Sequence, residues 1–147
     1  MNENKRLLQM EKFFTALADT TRLRLLNLIR DEEVCVCFFV EALSESQPKI
    51  SRHLAYLRKA GLVSARRDGK WMHYRIVPPE NPQLRKILEN ALESLKLQNE
   101  TQQEHEKLVE ACCSVKVPTT IARAPKPETF EQADISLRET ELETHLL

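Results

Sequence analysis

The stretch from Ser46 to Ala60 constrains this chain more than any other. Read as a helix that starts after Ser46, it places Ile50, Leu54 and Leu57 at i, i+4 and i+7, a single apolar stripe. Lys49, Arg52, His53 and Tyr56 fall on the opposite side. Ser46 is a suitable N-cap, Pro48 sits in the first turn where a missing N–H does no harm, and Gly61 stands where a helix end favours a left-handed residue. Such a helix buries one face and offers donors, with almost no carboxylate, on the other. Entry into a DNA major groove requires that arrangement, because bases and phosphates present mainly acceptors and negative charge. The predicted DNA-facing set is Gln47, Lys49, Ser51, Arg52, His53 and Tyr56.

The flanking segments supply what such a helix needs. Upstream, Leu7, Met10, Phe14 and Leu17 keep a helical period, with Leu8 and Phe13 widening the face. Asp19 or Thr20 can cap a second helix to about Arg30, apolar nearly all round and therefore expected in the core. Val34 to Leu43 reads as a short helix beginning near Cys37; with Ser44 and Glu45 as a turn, it makes a helix-turn-helix with the Ser46 stretch. After Gly61 the period changes to two. Leu62–Arg67 and Trp71–Ile76 form a predicted hairpin, with Asp68-Gly69 as a two-residue type I′ turn. Arg66, Arg67 and Lys70 crowd its tip, as in a wing that follows a DNA backbone. The expected fold class is therefore mainly α with a two-stranded β-hairpin wing, a winged helix-turn-helix.

Charge is distributed accordingly. The 147 residues carry 22 basic and 22 acidic side chains, so bulk charge gives no hint of nucleic acid. Residues 46–75, however, hold 8 Lys and Arg against 1 Asp, whereas residues 1–45 hold 6 against 8 and residues 76–147 hold 8 against 13. With only Gly61 and Gly69 available, no glycine-rich phosphate loop can be built, which argues against nucleotide chemistry. Nothing apolar enough for a signal peptide or membrane span is found, and the cysteines form two close pairs rather than a disulfide framework, so a reduced cytoplasmic protein without membrane contact is expected. Asn81-Pro82 opens a long predicted helix, 82–113, whose stripe of Leu84, Ile87, Leu88, Ala91, Leu92 and Leu95 needs a partner. A second subunit, docked through this helix and the first one, is the economical choice, and a homodimer would set two recognition helices about 34 Å apart. Residues 1–113 are thus read as one DNA-binding and dimerisation domain. Residues 114–147 are read as a polar, poorly ordered tail, with a marginal amphipathic helix from about Asp134.

The runs ALADTTRLRLLNLI, EEVCVC and SQPKISRHLAYLRKAGLVSARRDGKWMHYRI resemble the ArsR/SmtB family of metal-sensing winged-helix repressors, and within it the arsenical-resistance branch. The likeness spans about Phe13 to Pro78. It implies a dimer that binds operator DNA and lets go when As(III), or Sb(III), binds cysteines at the start of the support helix. The family pattern there is C-x-C with a third cysteine three residues on. Cys35 and Cys37 match the first two, and Val40 stands at the third.

Thiolates are the natural ligands for a soft, thiophilic arsenical. Zinc would ask for four tetrahedral ligands, and two cysteines without nearby histidines do not supply them. On a regular helix, residues i and i+2 point about 200° apart, so Cys35 and Cys37 are expected to meet one arsenic only if the first turn unwinds. Val40 leaves a dithiolate with a third, non-protein ligand, or participation of Cys112 and Cys113, which near a helix end would be accessible. These last two read equally well as a second site or as incidental thiols. His53 is a predicted phosphate or base contact, His73 structural, and His105 and His145 solvated. No organic cofactor is implied. An enzyme is not expected, since nothing supplies a general base beside the thiols; the alternatives are a repressor responding to redox or another thiophilic metal, or a thiol protein that carries arsenic without binding DNA.

Overall fold

The computed structural model describes residues 2–113 and 124–127. Helix α1, Glu3–Leu17, is capped by the Asn2 side chain, which accepts the Lys5 N–H at 2.9 Å. Only Phe13 and Ala16 of α1 are buried, and Leu7, Leu8, Met10 and Phe14 lie exposed on its outer face. Asp19 rather than Thr20 caps α2, Thr20–Ile29, accepting the Arg22 N–H at 3.0 Å. Leu25, Leu26, Leu28 and Ile29 are all buried, so the nearly unbroken apolar pattern does mark the core helix.

A two-residue strand, β1 (Val34–Cys35), precedes α3 (Val36–Leu43). Ser44 then adopts a left-handed conformation, and α4 runs from Gln47 to Lys59 with Ser46 accepting the Lys49 N–H. Ile50, Leu54 and Leu57 are completely buried, each contributing about 2 kcal/mol through removal from water. Gly61, at φ +80°, lets the chain leave the helix, as the sequence requires.

Strands β2 (Val63–Asp68) and β3 (Trp71–Ile76) pair antiparallel from Val63 with Ile76 to Asp68 with Trp71. The two turn residues are therefore Gly69 and Lys70, one position later than expected. With positive φ at Gly69 alone, this is the pattern of a type II′ turn rather than I′. Asp68 remains in the ladder, where no positive φ is demanded of it. The hairpin also gains a third strand: β1 pairs with β3, Val34 opposite Tyr74 and Cys35 opposite His73, giving the order β1-β3-β2.

The predicted single helix over 82–113 is two helices, α5 (Pro82–Lys96) and α6 (Asn99–Cys113). Thr101 marks the break: its hydroxyl donates to the Leu95 carbonyl in the last turn of α5, with the Gln98 carbonyl also within 3.2 Å, so a side chain rather than further helix meets the end of α5. Leu97 is left at the corner, 84% exposed. Helix α6 folds back against α2 and α3 of the same chain, burying Leu108 and Cys112 and receiving a hydrogen bond from Asn27 Nδ2 to the Thr101 carbonyl at 2.9 Å. The stripe of α5 is likewise used internally, through Leu84, Leu88 and Leu95. Of the tail, Ala124 is buried against the core; the other expectations for 114–147 fall outside the described residues, apart from Pro125 to Pro127, which line a groove with α5 and β3. Among the described residues no helix is long and apolar enough to cross a membrane.

Candidate nucleic-acid interface and thiol site

Helix α4 presents its polar face as a surface on which Gln47 and Arg52 are exposed and Ser51 is half-buried. Three members of the predicted set have partners within the chain. Lys49 Nζ stands 3.0 Å from Glu45 Oε1, His53 Nδ1 stands 3.6 Å from Asp19 Oδ1, and the Arg22 guanidinium lies 4.1 Å over the Tyr56 ring. Burial pushes the Asp19 carboxyl upward, but the Arg22 N–H, the neighbouring charges of His53 and Arg22 and the Thr21 N–H outweigh it and hold it below the usual value. In the wing, Arg67 is exposed, Lys70 caps the Trp71 ring at 5.0 Å, and Arg66 donates to Glu33 Oε1 at 2.6 Å. That contact first, against a smaller cost of burial, keeps the Glu33 carboxyl below its usual range. Lys49, His53, Arg66 and Lys70 are thus each positioned by a neighbour, while Arg52 and Arg67 are exposed.

Some of those neighbours went unread in the sequence. Glu45 precedes Lys49 by four residues, the spacing of a helical ion pair, and is the one that could have been found. Glu33, Asp19 and Arg22 act across elements, and sequence spacing carries no signal for that.

The thiol pair lies at the junction of β1 and α3. Cys35 is the last residue of β1 and the N-cap of α3, with extended backbone at φ −71°, ψ 141°; Cys37 is inside the helix. Because Cys35 is outside the helical repeat, the 200° divergence expected of i and i+2 does not arise. The two Sγ atoms are 3.1 Å apart with α3 intact, so no unwinding is needed to bring them together. The Cys37 thiol donates to Cys35. This bond, opposed by burial and assisted by the N–H groups of Cys37, Met72 and Val36, brings Cys35 down to about 7. Its place at a helix N-terminus is one where a thiolate is favoured. The same bond, then burial and the Cys35 charge, push Cys37 up. One thiol is ionised near neutrality and the other holds its proton for it.

Cys112 is completely buried against the core, contrary to the expected accessibility, because α6 packs its last turns inward; the Cys113 side chain lies outside the described residues. His105 is half-buried rather than fully solvated: burial, with the charges of Arg30 and Lys96, lowers it to about 4. His73 is buried opposite Cys35, with Nε2 lacking a hydrogen bond and Asp68 at 4.0 Å. No group of three or more His, Cys, Asp or Glu side chains converges as a metal cage among the described residues. The site's donor set is the two sulfurs, with half-buried Val40 contributing none.

Comparison with known proteins follows the same outline. The family described as bacterial regulatory protein, arsR family, matches residues 19–65, from the cap of α2 into β2. The arsenical resistance operon repressor of Escherichia coli strain K12 is 48% identical over 81 residues, covering 54% of this chain and 69% of that protein. An arsenic resistance transcriptional regulator of Pseudomonas putida strain KT2440 is 56% identical over 71 residues, 48% of this chain and 55% of its own length. In structure, HlyU from Vibrio cholerae N16961 matches 67% of this chain and all of its own with a TM-score of 0.55 at 28% identity. On the strength of this likeness, together with the recognition helix, the wing and the thiol pair in their expected order, the chain belongs to the ArsR family of winged helix-turn-helix regulatory proteins.

Proposed function

We propose that this protein is a repressor of arsenical-resistance genes that binds operator DNA through α4 and the wing and is released when As(III), or Sb(III), is taken by Cys35 and Cys37. The observation that carries this reading is the convergence of two thiols, one held ionised by the other, at the junction of β1 and α3. Two sulfurs at contact distance fit a thiophilic ligand, and the Val40 position leaves a third ligand to come from outside the pair. On one side of the junction α3 packs against α4, and on the other β1 is hydrogen-bonded to β3 of the wing. Drawing the sulfurs onto a ligand therefore acts on both DNA-contacting elements, an allosteric coupling of about 1–3 kcal/mol or more. Gln47, Lys49, Ser51, Arg52, His53 and Tyr56 are proposed for the groove and Arg66, Arg67 and Lys70 for the backbone, with the partnered cations exchanging their carboxylates for phosphates.

A second copy of the chain is the proposed partner. The first helix and 82–113 are the proposed surfaces: Leu7, Leu8, Met10 and Phe14 of α1 are exposed, and of the α5 stripe Leu84, Leu88 and Leu95 are buried within the chain while Ile87, Ala91 and Leu92 are half-buried. Cys112 and Cys113 are proposed as auxiliary ligands; Cys112, buried against the core, is reached only if the end of α6 opens.

Fluorescence anisotropy on duplex DNA from upstream of the protein's own gene tests the reading. Binding is expected to weaken with salt at a log–log slope near −0.9 per phosphate contacted and to be lost on adding arsenite. The double substitution Cys35→Ser, Cys37→Ser should stay bound in arsenite; unchanged release would refute the assignment. Mass spectrometry of the native protein gives the dimer state and arsenic stoichiometry, with Cys112→Ser, Cys113→Ser reporting on a second site. The contact between an ionised and a protonated thiol also favours a redox-responsive repressor, whose mark is release by oxidant but not by arsenite.

A further inference from the structure

A line of four charged side chains joins α6 to α4, and the DNA-binding reading uses only its last member. Arg24 of α2 closes on Glu104 of α6, donating from Nε and NH2 to the same Oε2 at 2.7 and 2.6 Å. Its remaining nitrogen, NH1, is left 3.8 Å from Glu45 Oε1, beyond hydrogen-bond distance. That oxygen is the one Lys49 Nζ holds at 3.0 Å. Glu104 is only 12% exposed, and its place is fixed by the packing of α6: Asn27 holds the Thr101 carbonyl one turn before it, and Leu108 is buried one turn after.

We propose that Glu45, Arg24 and Glu104 are positioning residues that set how readily the Lys49 ammonium reaches a DNA phosphate, an inference that rests on α4 being the DNA-binding helix. Arg24 and Lys49 compete for one carboxylate oxygen. While Glu104 engages the guanidinium fork, Glu45 is left to Lys49, and a phosphate must draw the lysine away from it. Without Glu104, Arg24 turns to Glu45 and loosens its hold on the lysine. Helix α6, although far from any groove in sequence, thereby tunes the recognition helix through charge.

Removing any carboxylate near DNA tightens binding through the general field, so the test is a double-mutant cycle with Lys49. Anisotropy on the upstream duplex is measured for Lys49→Gln, Glu45→Gln and Glu104→Gln, and for the latter two in the Lys49→Gln background. Lys49→Gln should weaken binding. Glu45→Gln should tighten it about two- to five-fold, the effect size of an exposed ion pair, and Glu104→Gln about two-fold. Both gains should shrink to the general-field part alone when Lys49 is already replaced. Gains of undiminished size there, or a silent Glu104→Gln beside an effective Lys49→Gln, overturn the relay while leaving DNA binding by α4 intact. If Lys49→Gln itself changes nothing, both the lysine's DNA role and the relay fall. Circular dichroism reports folding of each variant, and Glu104→Asp, which shortens the reach but keeps the charge, replaces Glu104→Gln if that variant unfolds.

Discussion

Replacing Cys37 with alanine removes the S–H that donates to Cys35 while leaving the backbone of α3 free to form. In the native protein Cys35 titrates at about 7, so about half of it is thiolate at neutral pH. Cys35 is completely buried, and burial alone raises a thiol. Without the Cys37 donor its midpoint should rise towards the free-cysteine value of roughly 8.5, held back only by the remaining backbone N–H groups; at that value about 3% is ionised at pH 7, a fall of up to about fifteen-fold. Serine would be a poorer choice, since its hydroxyl could still donate. The ultraviolet absorbance of the thiolate across about pH 5–9, recorded in a Cys112→Ser, Cys113→Ser background, reads the Cys35 midpoint without a reagent having to reach the buried sulfur. The midpoint rises if the Cys37 S–H is what holds the Cys35 thiolate. A Cys35 that still titrates near 7 in Cys37→Ala would mean that the backbone N–H groups and the helix terminus alone stabilise the thiolate, and the two sulfurs would not form the coupled pair on which the inducer reading rests.

Two further outcomes follow from packing and titration. Leu54→Ala should cost about 3–5 kcal/mol in urea unfolding, because Leu54 is fully buried and α4 packs against α2, α3 and β2; a loss below about 1 kcal/mol would show that the stripe does not seat the helix. His105 titrates at about 4 in the fold against 6.5 ordinarily, so between those values the unfolded chain takes up a proton that the folded one refuses. Stability should therefore fall as pH drops from 6.5 towards 4, and His105→Gln should flatten that part of the profile; an unaltered slope would refute the burial.

What the sequence carries by itself is what short-range chemistry can specify. The Ser46 cap, Pro48 in the first turn, the Ile50-Leu54-Leu57 stripe and the left-handed Gly61 each concern residues within two turns of one another, and together they define α4. The basic block over 46–75, the Asn81 cap and the C-x-C motif are of the same kind. Tertiary structure decided the rest. Pairing of β1 with β3 holds Cys35 in extended backbone and so turns two divergent positions into a sulfur pair, a fact that depends on Tyr74 and His73, almost 40 residues away. Register moved the hairpin turn from Asp68-Gly69 to Gly69-Lys70, because ladder pairing outweighed the local preference of the dipeptide. Helix α5 ended short of Thr101 and α6 ran back across α3, burying Cys112 and bringing Glu104 to Arg24. Periodicity records which face of a segment is apolar; it does not record what that face meets, and in this protein the meeting places are where the thiols are paired and the recognition lysine is held.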